Sequence, residues 1–230
     1  MKGELTPEAK QQLMMRFGSR LVHDVAGPID QISSLLALFI RRYKAQVDDE
    51  GNALLAHIDA ARFRLANTGA GLRTFFRVIT TDQTLQPVNL NEVAAAAVSS
   101  LRKQIADADA EVVIHDLPSI DGDPELLRIL FQSLLENALK FRRNDEHPCV
   151  DVSAEVVAGR HVLRVADNGI GIDPANCEIV FEPFKKLNGQ LYPGAGLGLA
   201  LVDAIARMHG GTARLEPLPH GAVALVELPG

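Results

Sequence analysis

Cysteine is nearly missing. Cys149 and Cys177 are the only two in 230 residues, and their spacing matches no metal or redox motif. That argues against a disulfide framework, and both are read as reduced thiols. Long apolar runs are missing too. No segment approaches the roughly 18 residues of a membrane span, and the opening MKGELTPEAK is not a secretory signal. Membrane insertion is therefore not expected, and the chain is expected to be cytoplasmic. Nor is there surplus positive charge: 29 acidic residues against 23 Lys and Arg leave a net charge of −6. Nucleic acid and anionic membrane surfaces are thus not expected partners. Internal repeats and low-complexity tracts are absent as well.

What is there is ordinary globular composition, 47% hydrophobic and 23% charged, in a chain long enough for one large domain or two small ones. Residues 1–82 read almost entirely as helix. Thr6-Pro7-Glu8 suits an N-cap with proline at the first helical position. Apolar residues recur at three-and-four spacing from Leu13 through Phe39, break at the turn Asp48–Asn52, and resume from Leu54 through Phe76. Two long helices joined by a short turn predict an antiparallel hairpin. One hairpin cannot bury both apolar stripes, so a four-helix bundle made by two chains, a homodimer, is expected. Gly69-Ala70-Gly71 interrupts the second helix at about 1 kcal/mol per glycine, and close helix packing is the expected reason.

After a linker containing Pro87 the pattern turns to mixed α and β over residues 85–230. A helix is expected from near Asn89, a strand over Glu111–Leu117, and a capped helix from Asp123. Two strands joined at Ala158-Gly159-Arg160 follow, then a glycine-stopped helix from GLGLAL and a closing hairpin made by TARLEPL and AVALVEL. The expected fold class is α+β: the helical hairpin, then an α/β sandwich with helices on one face of a mixed sheet.

Three short motifs can carry chemistry. In ENALKF, Asn137, Lys140 and Phe141 share one helix face; a carboxamide oxygen suits Mg²⁺ and a lysine suits phosphate, although taken alone the motif fits a solvated Asn and Lys on a helix better. In DNGIGI, Asp167 at a strand end can accept from an exocyclic amine, and Gly169 and Gly171 let backbone approach a flat base. A type I′ turn at Asn168-Gly169 fits those letters as well. In GAGLGLAL, Gly194, Gly196 and Gly198 precede an apolar helix, leaving N–H groups for an anion.

Taken in order, the Asn-bearing helix, the Asp-Gly-x-Gly turn, FEPFKKL and GxGLGL resemble the N, G1, F and G2 boxes of the Bergerat ATP-binding fold of histidine kinases. The hairpin, with HDVAGP matching H-D-x-x-x-P, resembles the dimerisation and histidine-phosphotransfer domain of the same family. KFRRND and the short lid segment resemble phytochrome-like members. The resemblance implies ATP and Mg²⁺ as cofactors, with Asn137 as Mg²⁺ ligand, Lys140 on phosphate and Asp167 on the adenine amine beside Gly169 and Gly171. It further implies Gly194, Gly196 and Gly198 as lid hinge and phosphate cradle. Phe181 and Phe184 would pack the lid's root, or serve as plain core, and Lys185 or Lys186 would reach the γ-phosphate.

His23 is the implied phosphoacceptor. It sits two residues from each of the core-facing Leu21 and Val25, which turns it about 200° away from each, to the outward face. Its imidazole is mostly unprotonated at neutral pH, and Asp24 can fix the tautomer through the second ring nitrogen. Pro28 removes a helical hydrogen bond one turn on and permits a bend. Two departures from the family matter. Gly27 stands where members that also dephosphorylate carry Thr or Asn, so phosphatase activity is expected to be weak. Ser133 stands where gyrase- and chaperone-type ATPases carry a glutamate base, which argues against free ATP hydrolysis.

The resemblance thus implies a protein-histidine kinase that phosphorylates His23 and passes the group to an aspartate of a response-regulator receiver domain. A phosphorelay adaptor without productive ATP binding is the alternative, and a serine-directed switch kinase a more distant one. The chain carries no sensor domain, so its input is expected from another protein or a segment beyond it.

Overall fold

A computed structural model describes residues 27–43, 46–187, 192 and 194–230. His23 and Asp24 lie outside the described residues, as does the expected start of the first helix. The chain divides into two compact units at Thr80 and Thr81.

The first unit holds α1, Gly27–Tyr43, and α2, Asp49–Thr80, packed along each other. The Asp48 carboxylate accepts the Gly51 N–H at 2.8 Å, which satisfies a first-turn amide of α2. The predicted glycine break has its physical reason here. A Cβ on Gly69 would lie 3.2 Å from Ile29 Cγ2, tighter than ordinary contact, so the two helices approach closely at this point. Arg73 and Asp30 cross-link the same pair at 2.6 Å. The apolar stripes remain largely uncovered: Leu35 is 59% exposed, Phe39 49% and Leu54 61%.

The second unit is an α/β sandwich. Its main sheet has the order β2-β4-β5-β7-β6, formed by Glu111–Ile114, Cys149–Val157, Arg160–Asp167, Ala222–Pro229 and Thr212–Pro217 in that order. Only β2–β4 is parallel; the other pairings are antiparallel, so the sheet is mixed as predicted. Alternation places Val150, Val152, Leu163, Val165, Ala224 and Val226 on one face. The helices α3, Leu90–Ser100, α5, Pro124–Lys140, and α6, Gly198–Met208, supply the opposing layer. Helix α5 is the centre of the core: Leu127, Leu130 and Phe131 are fully buried.

Three details differ from the sequence reading. The strand expected over Glu111–Leu117 ends at Ile114. The helix from Asn89 breaks at Leu101, after which α4 covers Arg102–Ala108. Two strands of four residues, β1, Gln86–Asn89, and β3, Ser119–Gly122, pair antiparallel as a separate ribbon. Each is too short for its alternation to stand out from loop composition.

Asp123 is the joint of this unit. Its carboxylate accepts the N–H groups of Glu125 and Leu126 as the cap of α5, and the Thr84 N–H from the linker, all at 3.0 Å. Burial pushes the carboxyl up, but these amides outweigh it and hold the group below its usual value. The Asp123 N–H in turn donates to Nε2 of the buried His209, whose Nδ1 meets the Ile205 carbonyl.

Candidate functional site

The last turn of α5 brings the first motif into place. Asn137 stands on a helix that buries one broad face in the core and carries Glu125, Arg128, Gln132 and Glu136 on another, and its amide nitrogen is buried with no hydrogen-bond partner among the described residues. A buried amide donor without a partner costs roughly 1–3 kcal/mol, so an acceptor there, a water or a phosphate oxygen, would be favoured. Directly against it stands Gly198, the first residue of α6: a Cβ there would lie 3.4 Å from Asn137 Oδ1 and 3.5 Å from Nδ2. A larger residue would cover the amide. Helix α6 also begins without a side-chain cap, so its first N–H groups are not taken by a side chain.

One turn on, Lys140 places its ammonium 4.6 Å from the centre of the Phe141 ring. Burial lowers its pKa, and the nearby positive Lys186 lowers it further, while Glu136 raises it. The Tyr192 ring packs on the other partner of that stack, Phe141, at 4.9 Å between centroids.

The second motif meets the same helix end. Asp167 closes β5, and its Oδ1 accepts the Gly169 N–H at 2.9 Å. Burial raises the carboxyl above its usual range, opposed by the N–H groups of Gly169 and Ala222. The type I′ alternative is excluded, because neither Asn168 nor Gly169 has positive φ. Gly169 is required for another reason: a Cβ would lie 2.4 Å from the Phe141 carbonyl oxygen. Gly171 does have φ of 74°, and its Cβ would sit 3.0 Å from the Gly221 carbonyl. Gly221, which the sequence reading missed, passes so close to the Asp167 carbonyl that no side chain fits. It lies in the turn between β6 and β7, whose letters mark a turn but not the Asp167 carbonyl that excludes a side chain.

The third and fourth motifs meet each other. Phe184 adopts φ of 66°, and its N–H donates to the Gly196 carbonyl at 2.8 Å. Gly196 at φ of 72° has no room for a Cβ, which would lie 2.7 Å from the Lys185 carbonyl. Phe184 is 55% exposed, so of the two readings offered for it, plain core is excluded. Phe181 lies half-buried in a short 3₁₀ turn, Ile179–Phe181. Lys185 pairs with Glu182 at 3.9 Å. Gly194 has φ of 122°. The structure therefore joins Asn137 to Gly198, Phe141 to Gly169, and Phe184 to Gly196.

Residues 122–230 match the family described as histidine kinase-, DNA gyrase B- and HSP90-like ATPase. The chain is similar to cyanobacterial phytochrome A of a Nostoc species, 28% identical over 218 residues, covering 94% of this chain and 28% of that protein. It thus spans little more than a quarter of the length of that curated relative. The ATP-binding domain of PrrB from Mycobacterium tuberculosis is 30% identical, with a TM-score of 0.51, over 64% of this chain and 97% of that domain. The histidine kinase ThkA, solved in complex with the response regulator protein TrrA, is 18% identical with a TM-score of 0.63, over 100% of this chain and 68% of that one, a likeness of fold.

Proposed function

Because the chain belongs to the family of sensor histidine kinases, we propose that it is an ATP-dependent protein-histidine kinase core that phosphorylates His23 and hands the phosphoryl group to a response-regulator aspartate. The observation that carries this is the buried Asn137 amide, left without a partner beside Gly198 and one turn from Lys140. A phosphorelay adaptor has no use for such a site, nor for a half-buried carboxylate at Asp167.

In this reading Asp167 accepts the exocyclic amine of adenine, and Gly169 and Gly171 lie beside the base. Lys140 neutralises phosphate charge; its partial burial strengthens that contact while favouring loss of its proton. Asn137 is the side chain that would hold Mg²⁺, and the start of α6 at Gly198, which no side chain caps, lies against it. When bound, Mg²⁺ offsets phosphate charge in the transition state. Gly194 and Gly196 serve the lid, and Lys185 or Lys186 approaches the γ-phosphate. The unprotonated His23 nitrogen attacks the γ-phosphorus and the bond to the β–γ bridging oxygen breaks, releasing ADP. Asp24 holds the other ring nitrogen and stabilises the positive charge that develops on the imidazole.

The exposed stripe of Leu35, Phe39 and Leu54 supports a second copy of the hairpin as its cover, giving the four-helix homodimer. A cytoplasmic location belongs to the same proposal; among the described residues no helix is long and apolar enough to cross a membrane.

The test is incubation with γ-labelled ATP and Mg²⁺, followed by acid and alkali treatment. Acid-labile, alkali-stable label that disappears in His23→Ala is expected. Label that persists in that variant would remove His23 from the mechanism, and no label in the wild type would return the adaptor.

A further inference from the structure

The three-residue turn Asn168–Ile170 is gripped from one side by the segment that links α5 to β4. Asn168 Oδ1 accepts the Cys149 N–H and its Nδ2 donates to the His147 carbonyl, both at 2.8 Å. The Ile170 N–H donates to the Phe141 carbonyl at 2.9 Å. The Gly169 carbonyl accepts Nε of Arg143 at 3.1 Å. The peptide plane between Gly169 and Ile170 is therefore held at both ends, by a carbonyl on one side and a guanidinium on the other.

That peptide needs holding. Glycine has the widest backbone freedom of any residue, and here the contact with the Phe141 carbonyl forbids the side chain that would restrict it. The same glycine donates the N–H that orients the Asp167 carboxylate. That N–H belongs to the neighbouring Asn168–Gly169 peptide, joined to the held one through the Gly169 Cα, so rotation at Gly169 would withdraw it and let the carboxylate swing. Arg143 suits the task through its planar fork, since a second guanidinium nitrogen, Nη1, reaches Glu146 Oε1 at 2.9 Å while Nε holds the carbonyl. Arg143 is half-buried and Glu146 exposed, so the pair is not deeply desolvated.

We propose that Arg143 is a positioning residue that sets base specificity: by fixing the Gly169 peptide it keeps the Asp167 carboxylate in the one orientation that accepts an adenine amine. The proposal rests on Asp167 reading the base, and Arg143 itself touches no nucleotide in it. Glu146 acts one step further out, by orienting the guanidinium.

The experiment compares wild type, Arg143→Ala, Arg143→Met and Arg143→Lys by calorimetric titration with ADP and with GDP, alongside the KM and kcat of autophosphorylation. Arg143→Met keeps the aliphatic stem and removes only the donors, so it holds the packing if Arg143→Ala unfolds. Losing one partly exposed charged hydrogen bond is expected to weaken ADP binding roughly fivefold. GDP binding should change less than twofold, so discrimination narrows; KM for ATP should rise with kcat within about twofold, and Arg143→Lys should recover part of the loss. ADP affinity of Arg143→Met within twofold of wild type overturns the proposal. So does an equal loss for ADP and GDP, which would mean general loosening of the unit. A wild type that prefers no base, or binds no ADP, instead removes the reading of Asp167 on which the proposal stands.

Discussion

Replacing Asp167 by Asn separates recognition from stability more cleanly than any other change at this site. The half-buried carboxylate is held by two backbone amides. Asn keeps an oxygen for the Gly169 N–H but turns an NH₂ group toward the position assigned to the adenine amine, so donor meets donor. A hydrogen bond to a charged acceptor is worth about 1.5–3 kcal/mol, which corresponds to a loss of roughly 10- to 100-fold in ADP affinity. Stability should move the other way. A carboxyl whose folded pKa is raised makes the ionised folded state costlier above that pKa, and the cost is relieved as pH falls toward the unfolded value, near 3.8. At pH 7 the variant should melt at or above the wild-type midpoint, and the gain should shrink as pH approaches 4. Wild-type ADP binding should be complete at neutral pH and fade, as pH is lowered, earlier than an exposed aspartate would allow; the variant should show no such limb. Calorimetry and thermal melts over pH 4–8 read both quantities. Unchanged ADP affinity, or a melting point lowered by several degrees at pH 7, would refute the reasoning.

Asp123→Ala removes the α5 cap and should cost about 1–2 kcal/mol in denaturant unfolding at neutral pH; because the folded carboxyl lies below 3.8, the difference from wild type should be full above that value and vanish as pH falls through the lowered one. Gly196→Ala meets a positive φ and the Lys185 carbonyl, a strain of about 1–2 kcal/mol, and should slow labelling by γ-labelled ATP about tenfold. Gly27→Thr meets nothing within 4 Å, so it should leave the helical content measured by circular dichroism unchanged while quickening the loss of label from His23 in a chase. Leu35→Glu with Phe39→Glu should convert a dimer into a monomer by light scattering, with ADP affinity unaltered.

Much of the second unit was legible because its signals are local. Asp123 followed by proline is a cap, alternating apolar residues make β4 and β5, and the glycines after Asp167 and before α6 mark where backbone must approach backbone. What escaped depends on partners distant in the chain. Gly221 is required by a carbonyl 54 positions earlier, that of Asp167, and no pattern in the β6–β7 turn reveals this. Arg143 looked like one more basic residue in KFRRND until its Nε was found on the Gly169 carbonyl, 26 positions away. The ribbon of β1 and β3 was missed because a four-residue strand is defined by its partner more than by its own letters. Gly69 was recognised as a cost in a helix, and Ile29 supplies its cause.

The bond from the Asp123 amide to His209 has a use as a reporter. Amides at the start of a helix normally lack an acceptor and exchange their protons with solvent quickly. This one is tied to a buried imidazole at the end of α6, 86 positions along the chain. It can exchange only when the end of α6 lifts from the start of α5, so its protection factor measures the opening of the helical layer as a whole. One slow proton at a place where fast ones are usual would follow the unit's cooperative unfolding in a single peptide.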